Sequence, residues 1–143
     1  MRLREVSMAA ADHEATATLL ARLFGAEASP QVEVGVPPVQ ARFRSMRCGD
    51  VSFAVMASTE AGSPIARFLE ARGDGLFSIT FEVEDITAAM THFRDCGAVF
   101  VLDQALVLTD YSTGHDTYRE CLVNFTRPKT TGGIVIELQE FRR

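Results

Sequence analysis

The sequence predicts an α+β protein of two βαβββ modules that form a cupped, barrel-like mixed sheet. Three observations lead there. The chain has 143 residues, a length that suits one domain spanning 1–143. The order strand, helix, then about three strands runs over roughly 3–58 and again over roughly 76–140. Asp12 and Asp85 stand where each would cap the corresponding helix of its module.

Each element has a local reason. Residues 3–10 alternate as a strand and end at Asp12. Asp12 is a good helix N-cap, and Glu14 adds negative charge to the first turn. Leu19, Leu20, Leu23 and Phe24 fall at helical spacing, and Gly25 stops that helix. The Val-rich stretch from Pro30 to Pro38 reads as a short edge strand or an arm. Residues 39–47 and 51–57 read as strands joined at Gly49-Asp50. Ser63 as N-cap with Pro64 at the first helical position starts a linking helix over 63–72. Strand 76–83 turns Phe77, Ile79, Phe81 and Val83 one way, and Ser78, Thr80 and Glu82 the other. Asp85 caps a helix carrying Ile86, Ala89, Met90 and Phe93, which ends at Cys96-Gly97. A strand is expected at 98–102, a polar loop from about 104 to 117, and two last strands at 118–126 and 133–139.

Composition removes several function classes. The net charge of −5 and a pI near 5.2 argue against nucleic acid as a partner, because a phosphate backbone calls for a basic face. No apolar run approaches the roughly 18–20 residues of a membrane span, and Met1 to Glu5 lacks the apolar segment of a signal peptide. Cys48, Cys96 and Cys121 are odd in number and form no CxxC pair, so reduced thiols and a cytoplasmic location are expected. Only three histidines are present. His13 and His92 are expected on exposed helix faces and take no role.

The alternation assigns the cup face. Helix-packing positions on the strands leave Glu5, Ala54, Ser78 and Glu137 at the four middle positions of the opposite face. Three stretches then carry a resemblance. Gly62–Gly73, GSPIARFLEARG, is similar to an "SPIAKFLEKRG" segment; Leu76–Ile86, LFSITFEVEDI, to "LHHIAFEVDDI"; and Arg127–Leu138, RPKTTGGIVIEL, to "HPKSTGGVLIEL". These segments belong to methylmalonyl-CoA epimerases, and the chain resembles that branch of the vicinal oxygen chelate (glyoxalase/bleomycin-resistance) superfamily. The likeness covers most of the chain, and is weak over the first 48 residues.

The resemblance implies the vicinal oxygen chelate fold. It also implies a divalent metal held by two His and two Glu/Gln, one on each of four strands. Those positions fall here on Glu5, Ala54, Ser78 and Glu137, of which only Glu137 keeps the family's ligand type. Two carboxylates make a poor transition-metal site. A metal-free cup is expected, with no cofactor, and a base position of the family falls near Pro38, where no carboxylate stands.

The expected function is therefore metal-independent acid/base proton transfer next to a carbonyl. Isomerisation, epimerisation, cyclisation or dehydration of a small acyl or polyketide-like substrate, as a thioester for instance, would all use it. Glu137, with Glu5 or His115, would move the proton. Two carboxylates in an apolar cup share a proton, which raises one pKa towards neutrality. Ser78 and Tyr118 would hydrogen-bond the carbonyl oxygen. Arg42 and Arg44, sharing one strand face, could hold a carboxylate or phosphate. Lys129 lies in the PKTT run and would support a CoA-type ligand or the turn itself; Asn124 is a further substrate-binding candidate. His115 sits in a polar, glycine-hinged loop expected over the second module's cup. Two alternatives stay open: a non-catalytic drug- or metabolite-binding protein of the bleomycin-resistance type, and a metal-dependent lyase or isomerase with altered ligands, Glu5, Glu137 and His115. The expected partners are a small-molecule acyl or carbonyl substrate and a second copy in a homodimer, with no nucleic acid and no membrane.

Overall fold

A computed structural model describes all 143 residues. The elements run β1 (Arg2–Ala9), α1 (His13–Phe24), β2 (Val32–Val36), β3 (Val39–Cys48), β4 (Val51–Ser58), α2 (Pro64–Arg72), β5 (Gly75–Glu82), α3 (Ile86–Asp95), β6 (Leu106–Ser112), β7 (Thr117–Phe125) and β8 (Val135–Arg142). This is the α+β order expected, βαβββ twice with α2 between the modules. The residues group into two compact units. An N-terminal unit holds 5–77 and 112–116, and a C-terminal unit holds 1–4, 78–111 and 117–143.

In the N-terminal unit the strand order is β2-β3-β4-β1. β1 runs parallel to β4 with Ser7 opposite Ala54, and β3 is antiparallel to both β2 and β4. Asp12 accepts a hydrogen bond from the Ala15 amide, and Gly25 ends α1 in the left-handed conformation that favours glycine. Met46, Val55, Ala10 and Ala17 are buried between α1 and the sheet. Ala9, Ala41 and Ile65 are buried with Phe68 and Phe77, joining α2 to this unit.

The C-terminal unit repeats the pattern as β6-β7-β8-β5. β5 is parallel to β8, with Thr80 opposite Glu137, and β7 is antiparallel to β8. Asp85 accepts from the Ala88 amide at the start of α3. Ile86, Met90, Val83, Phe100 and Leu138 form its core, with Ile136 and Phe81 packed against them. Leu138 is fully buried, and truncation to alanine at such a site costs about 2–5 kcal/mol. Because Ile136 and Leu138 face α3, Glu137 and Gln139 must face the opposite side.

Three local expectations are corrected. Residues 98–102 form no strand; Phe100 makes a single bridge to Thr126, while Val99 and Val101 stay exposed. The expected loop over 104–117 is largely β6, and only the turn between β6 and β7 remains. His13 is buried rather than exposed, at 8%, because its Nε2 lies 3.0 Å from Gln31 Oε1 and 3.4 Å from Glu14. His92 is exposed, as expected.

Candidate functional site

Glu137 is the best-built polar position on the face opposite the helices. Its Oε1 accepts from Gln139 Nε2 at 2.7 Å and its Oε2 accepts from Thr80 Oγ1 at 3.3 Å. Both donors are buried, Thr80 at 1% and Gln139 at 7%. The parallel register places Thr80 directly opposite Glu137, and Gln139 follows two residues along the same strand face. Two neutral donors fix the carboxylate's plane and suit its ionised form, which is acceptor-only. Such a group can take up one proton from a neighbouring molecule.

Cys121 lies on β7 opposite Phe141 and is fully buried. Burial pushes its thiol well above the ordinary range, the charge of Glu137 pushes the same way, and Arg4 works against both. A thiol held protonated this firmly is no nucleophile.

Arg4 brings a positive charge to this unit. It donates to the Tyr118 hydroxyl at 3.0 Å, lies 3.7 Å from Glu82 and sits 5.2 Å from the centre of the Phe141 ring. Tyr118 stacks on Phe141 at 4.3 Å between ring centres and is itself buried. Its hydroxyl accepts from Arg4 and keeps its own proton to donate. Ser78 is on β5 opposite Val135 and is 2% exposed.

The other expected site residues go elsewhere. Asn124 is fully buried. Its amide nitrogen donates to the Leu102 and Gln104 carbonyls, and its oxygen accepts from the Leu102 and Phe125 amides. Three of these four bonds pin the 102–104 segment and the fourth holds its own strand, so the Asn124 amide is engaged within the protein. Arg44 is spent on Glu14 and on the Ser29 carbonyl. It alternates in register with Met46, which packs under α1, so Arg42 and Arg44 occupy the helix-bearing face and not the cup face. The Arg42 Nε is buried without a partner. Lys129 is exposed on a short 3₁₀ turn. Thr130 and Thr131 close that turn through Val99, Arg127 and Ile134, which favours the turn reading of the PKTT run.

In the N-terminal unit, Glu5 Oε1 accepts from Ser7 Oγ at 3.0 Å. His115 lies in a loop that local sequence places over the second module, but the loop, 112–116, groups with the N-terminal unit. Ser45 Oγ donates to the Thr113 carbonyl, His115 Nε2 lies 3.2 Å from the Ser45 carbonyl, and Arg47 pairs with Asp116.

The donor set does not fit the divalent metal implied by the resemblance. Ala54 has no ligating atom, Ser78 offers only a hydroxyl, and the oxygens of Glu137 already accept hydrogen bonds. No three His, Cys, Asp or Glu side chains come together as a metal-binding group.

Sequence reasoning missed Thr80, Gln139 and Arg4. The first two were legible as cup-facing positions, but their service to Glu137 depends on the β5–β8 register. Arg4 gave no signal, because its partners lie 78 to 137 residues away along the chain.

Comparison with known proteins gives the family. Among curated proteins, none matches the chain. Methylmalonyl-CoA epimerase from Mycobacterium tuberculosis superposes with a TM-score of 0.80 at 25% identity, covering 99% of this chain and 89% of that one. A Streptomyces coelicolor methylmalonyl-CoA epimerase variant in complex with 2-nitronate-propionyl-CoA gives 0.80 at 22% identity, covering 100% and 99%. A hypothetical protein of Bacillus halodurans C-125 gives 0.80 at 18%, covering 99% and 95%. Residues 5–113 match the family described as glyoxalase/bleomycin resistance protein/dioxygenase superfamily, and the chain belongs to that superfamily, with the vicinal oxygen chelate fold.

Proposed function

We propose that the protein is an epimerase-like enzyme that moves a proton at the carbon next to the carbonyl of a small acyl substrate, without a metal. The observation that carries this is Glu137, a carboxylate oriented by Thr80 and Gln139 on the face opposite the helices. In the forward step the substrate C–H bond breaks, its proton passes to Glu137 and its electron pair forms an enolate. Return of the proton, or loss of a leaving group, completes isomerisation or elimination. Ser78 and the remaining Tyr118 proton are the hydrogen-bond donors for the developing oxyanion. The likeness to epimerases that act on methylmalonyl-CoA favours a thioester, at 25% identity for the Mycobacterium protein.

The test is deuterium uptake from D₂O into a panel of acyl-CoA thioesters, followed by mass spectrometry. Exchange is expected for at least one thioester, and Glu137→Gln should slow it by about 10²–10⁴-fold, the usual worth of a positioned acid/base group. Tight binding with no exchange would favour a binding protein of the bleomycin-resistance kind. One observation favours that second reading: both Glu137 oxygens are already satisfied within the protein, as they would be in a purely structural carboxylate.

A further inference from the structure

The N-terminal unit carries a second concavity, away from Glu137. The turn after α1, the β3–β4 hairpin and His115 line an open cavity of about 520 Å³, within the size range of small-molecule sites. Its charge balance can be read group by group. α1 ends at its wall with Gly25 as cap, and a helix C-terminus carries roughly half a negative charge. Glu27 adds a carboxylate to the lining. Arg47 is the lining cation, but its charge is neutralised by the ion pair with Asp116; Arg22, in the last turn of α1, is not part of the lining.

His115 adds an acceptor. Its Nε2 faces the Ser45 carbonyl at 3.2 Å. A carbonyl only accepts, so Nε2 carries the proton and, in the neutral ring, Nδ1 is a bare acceptor. Phe24 supplies an aromatic wall. It is 44% exposed and meets Phe53 edge-on, 5.5 Å between centres at 65°, which leaves ring surface uncovered. A negative concavity with an aromatic wall and an imidazole acceptor matches one ligand chemistry, because ammonium groups are drawn both to carboxylates and to ring faces.

We propose that this cavity binds a small organic ammonium ion, a protonated amine or quaternary ammonium, between Phe24 and Glu27, with the α1 C-terminus and His115 completing the shell. Binding here is independent of proton transfer at Glu137 and is read without any activity assay.

The experiment is a two-dimensional NMR titration of the full chain with putrescine dihydrochloride and, separately, tetramethylammonium chloride, at constant ionic strength. Saturable shifts are expected at Phe24, Glu27 and His115. Glu27→Gln and Phe24→Leu should each weaken binding, by about 3–30-fold for the aromatic wall, with an unchanged amide fingerprint elsewhere. Arg47→Gln is the discriminating variant. It removes the neutralising cation and leaves the acidic Asp116 near the cavity, so an ammonium ligand should bind more tightly. Weaker binding in Arg47→Gln, saturable shifts with inorganic phosphate in place of the amines, or no saturable shift with either amine would overturn the proposal.

Discussion

Gly114 offers a prediction whose size follows from geometry. Its φ is +86°, and a Cβ added there would lie 2.4 Å from Ser29 Oγ and 2.7 Å from Ser29 Cβ. Ser29 cannot step aside freely. It is 2% exposed, its hydroxyl donates to the Pro30 carbonyl, and its oxygen accepts from the Ser45 amide. Gly114→Ala therefore has two routes. In the first the loop stays docked, and left-handed backbone strain of about 1–2 kcal/mol adds to overpacking of about 1–3 kcal/mol. Reduced freedom of the unfolded chain returns about 0.4–1 kcal/mol. In the second the loop lifts off and loses the Ser45–Thr113 and His115–Ser45 bonds, each worth about 0.5–1.5 kcal/mol, plus an exposed Arg47–Asp116 pair worth about 0–1 kcal/mol. The cheaper route decides, so the net loss is about 2–3 kcal/mol. In urea denaturation this lowers the midpoint at constant slope, and Tm falls by roughly 5–12 °C. Combining it with Ser29→Gly removes the blocking atoms and should restore the overpacking part. A loss below about 0.5 kcal/mol for Gly114→Ala, or full additivity with Ser29→Gly, would refute the close approach of these segments.

Asn124→Leu keeps the branched shape in a larger side chain and strands two amides and two carbonyls around 102–104 and 125, and should cost about 3 kcal/mol or more by urea denaturation; a neutral effect would contradict the satisfied amide. Thiol titration at pH 8 should count two reactive cysteines in the native protein, Cys48 and Cys96, and three in denaturant, because Cys121 is the buried one. The folded-state Cys121 pKa is raised, so the native state holds a proton that the unfolded state releases above about pH 9. Stability should therefore decline as pH rises past that point, and Cys121→Ala should flatten the decline. Dialysis against EDTA should leave both Tm and the thioester exchange rate unchanged; a loss restored by a divalent ion would refute the metal-independent reading.

What was legible in the sequence was local. Asp12, Ser63 and Asp85 cap their helices because a short acceptor side chain reaches an amide three residues on. Ile136 and Leu138 pack under α3 because strand alternation leaves no choice, and that same alternation exposed Glu137. The reading failed where neighbours came from elsewhere. Ala98 to Leu102 alternate like a strand, yet Asn124 claims the Leu102 amide and carbonyl. β6 is an edge strand with only Leu108 buried, so it shows little apolar periodicity, and Asp110 breaks it further with a positive φ. His13 looks like a helix-surface residue until Gln31 covers it. Arg42 and Arg44 alternate correctly, but which face of β3 meets α1 is a matter of topology. His115 went to the unit its loop docks on, and nothing in its local residues announced that docking.

Neither compact unit is a continuous piece of chain. The N-terminal unit takes residues 112–116 from within the second repeat, and the C-terminal unit takes residues 1–4, which open the first. Each compact unit is therefore completed by a few residues of the other repeat. A recombination point placed between α2 and β5 would separate whole βαβββ repeats and still cut both units short. A chimera that exchanges modules with a relative must therefore keep the 112–116 segment matched to the surface of Ser29 and Ser45.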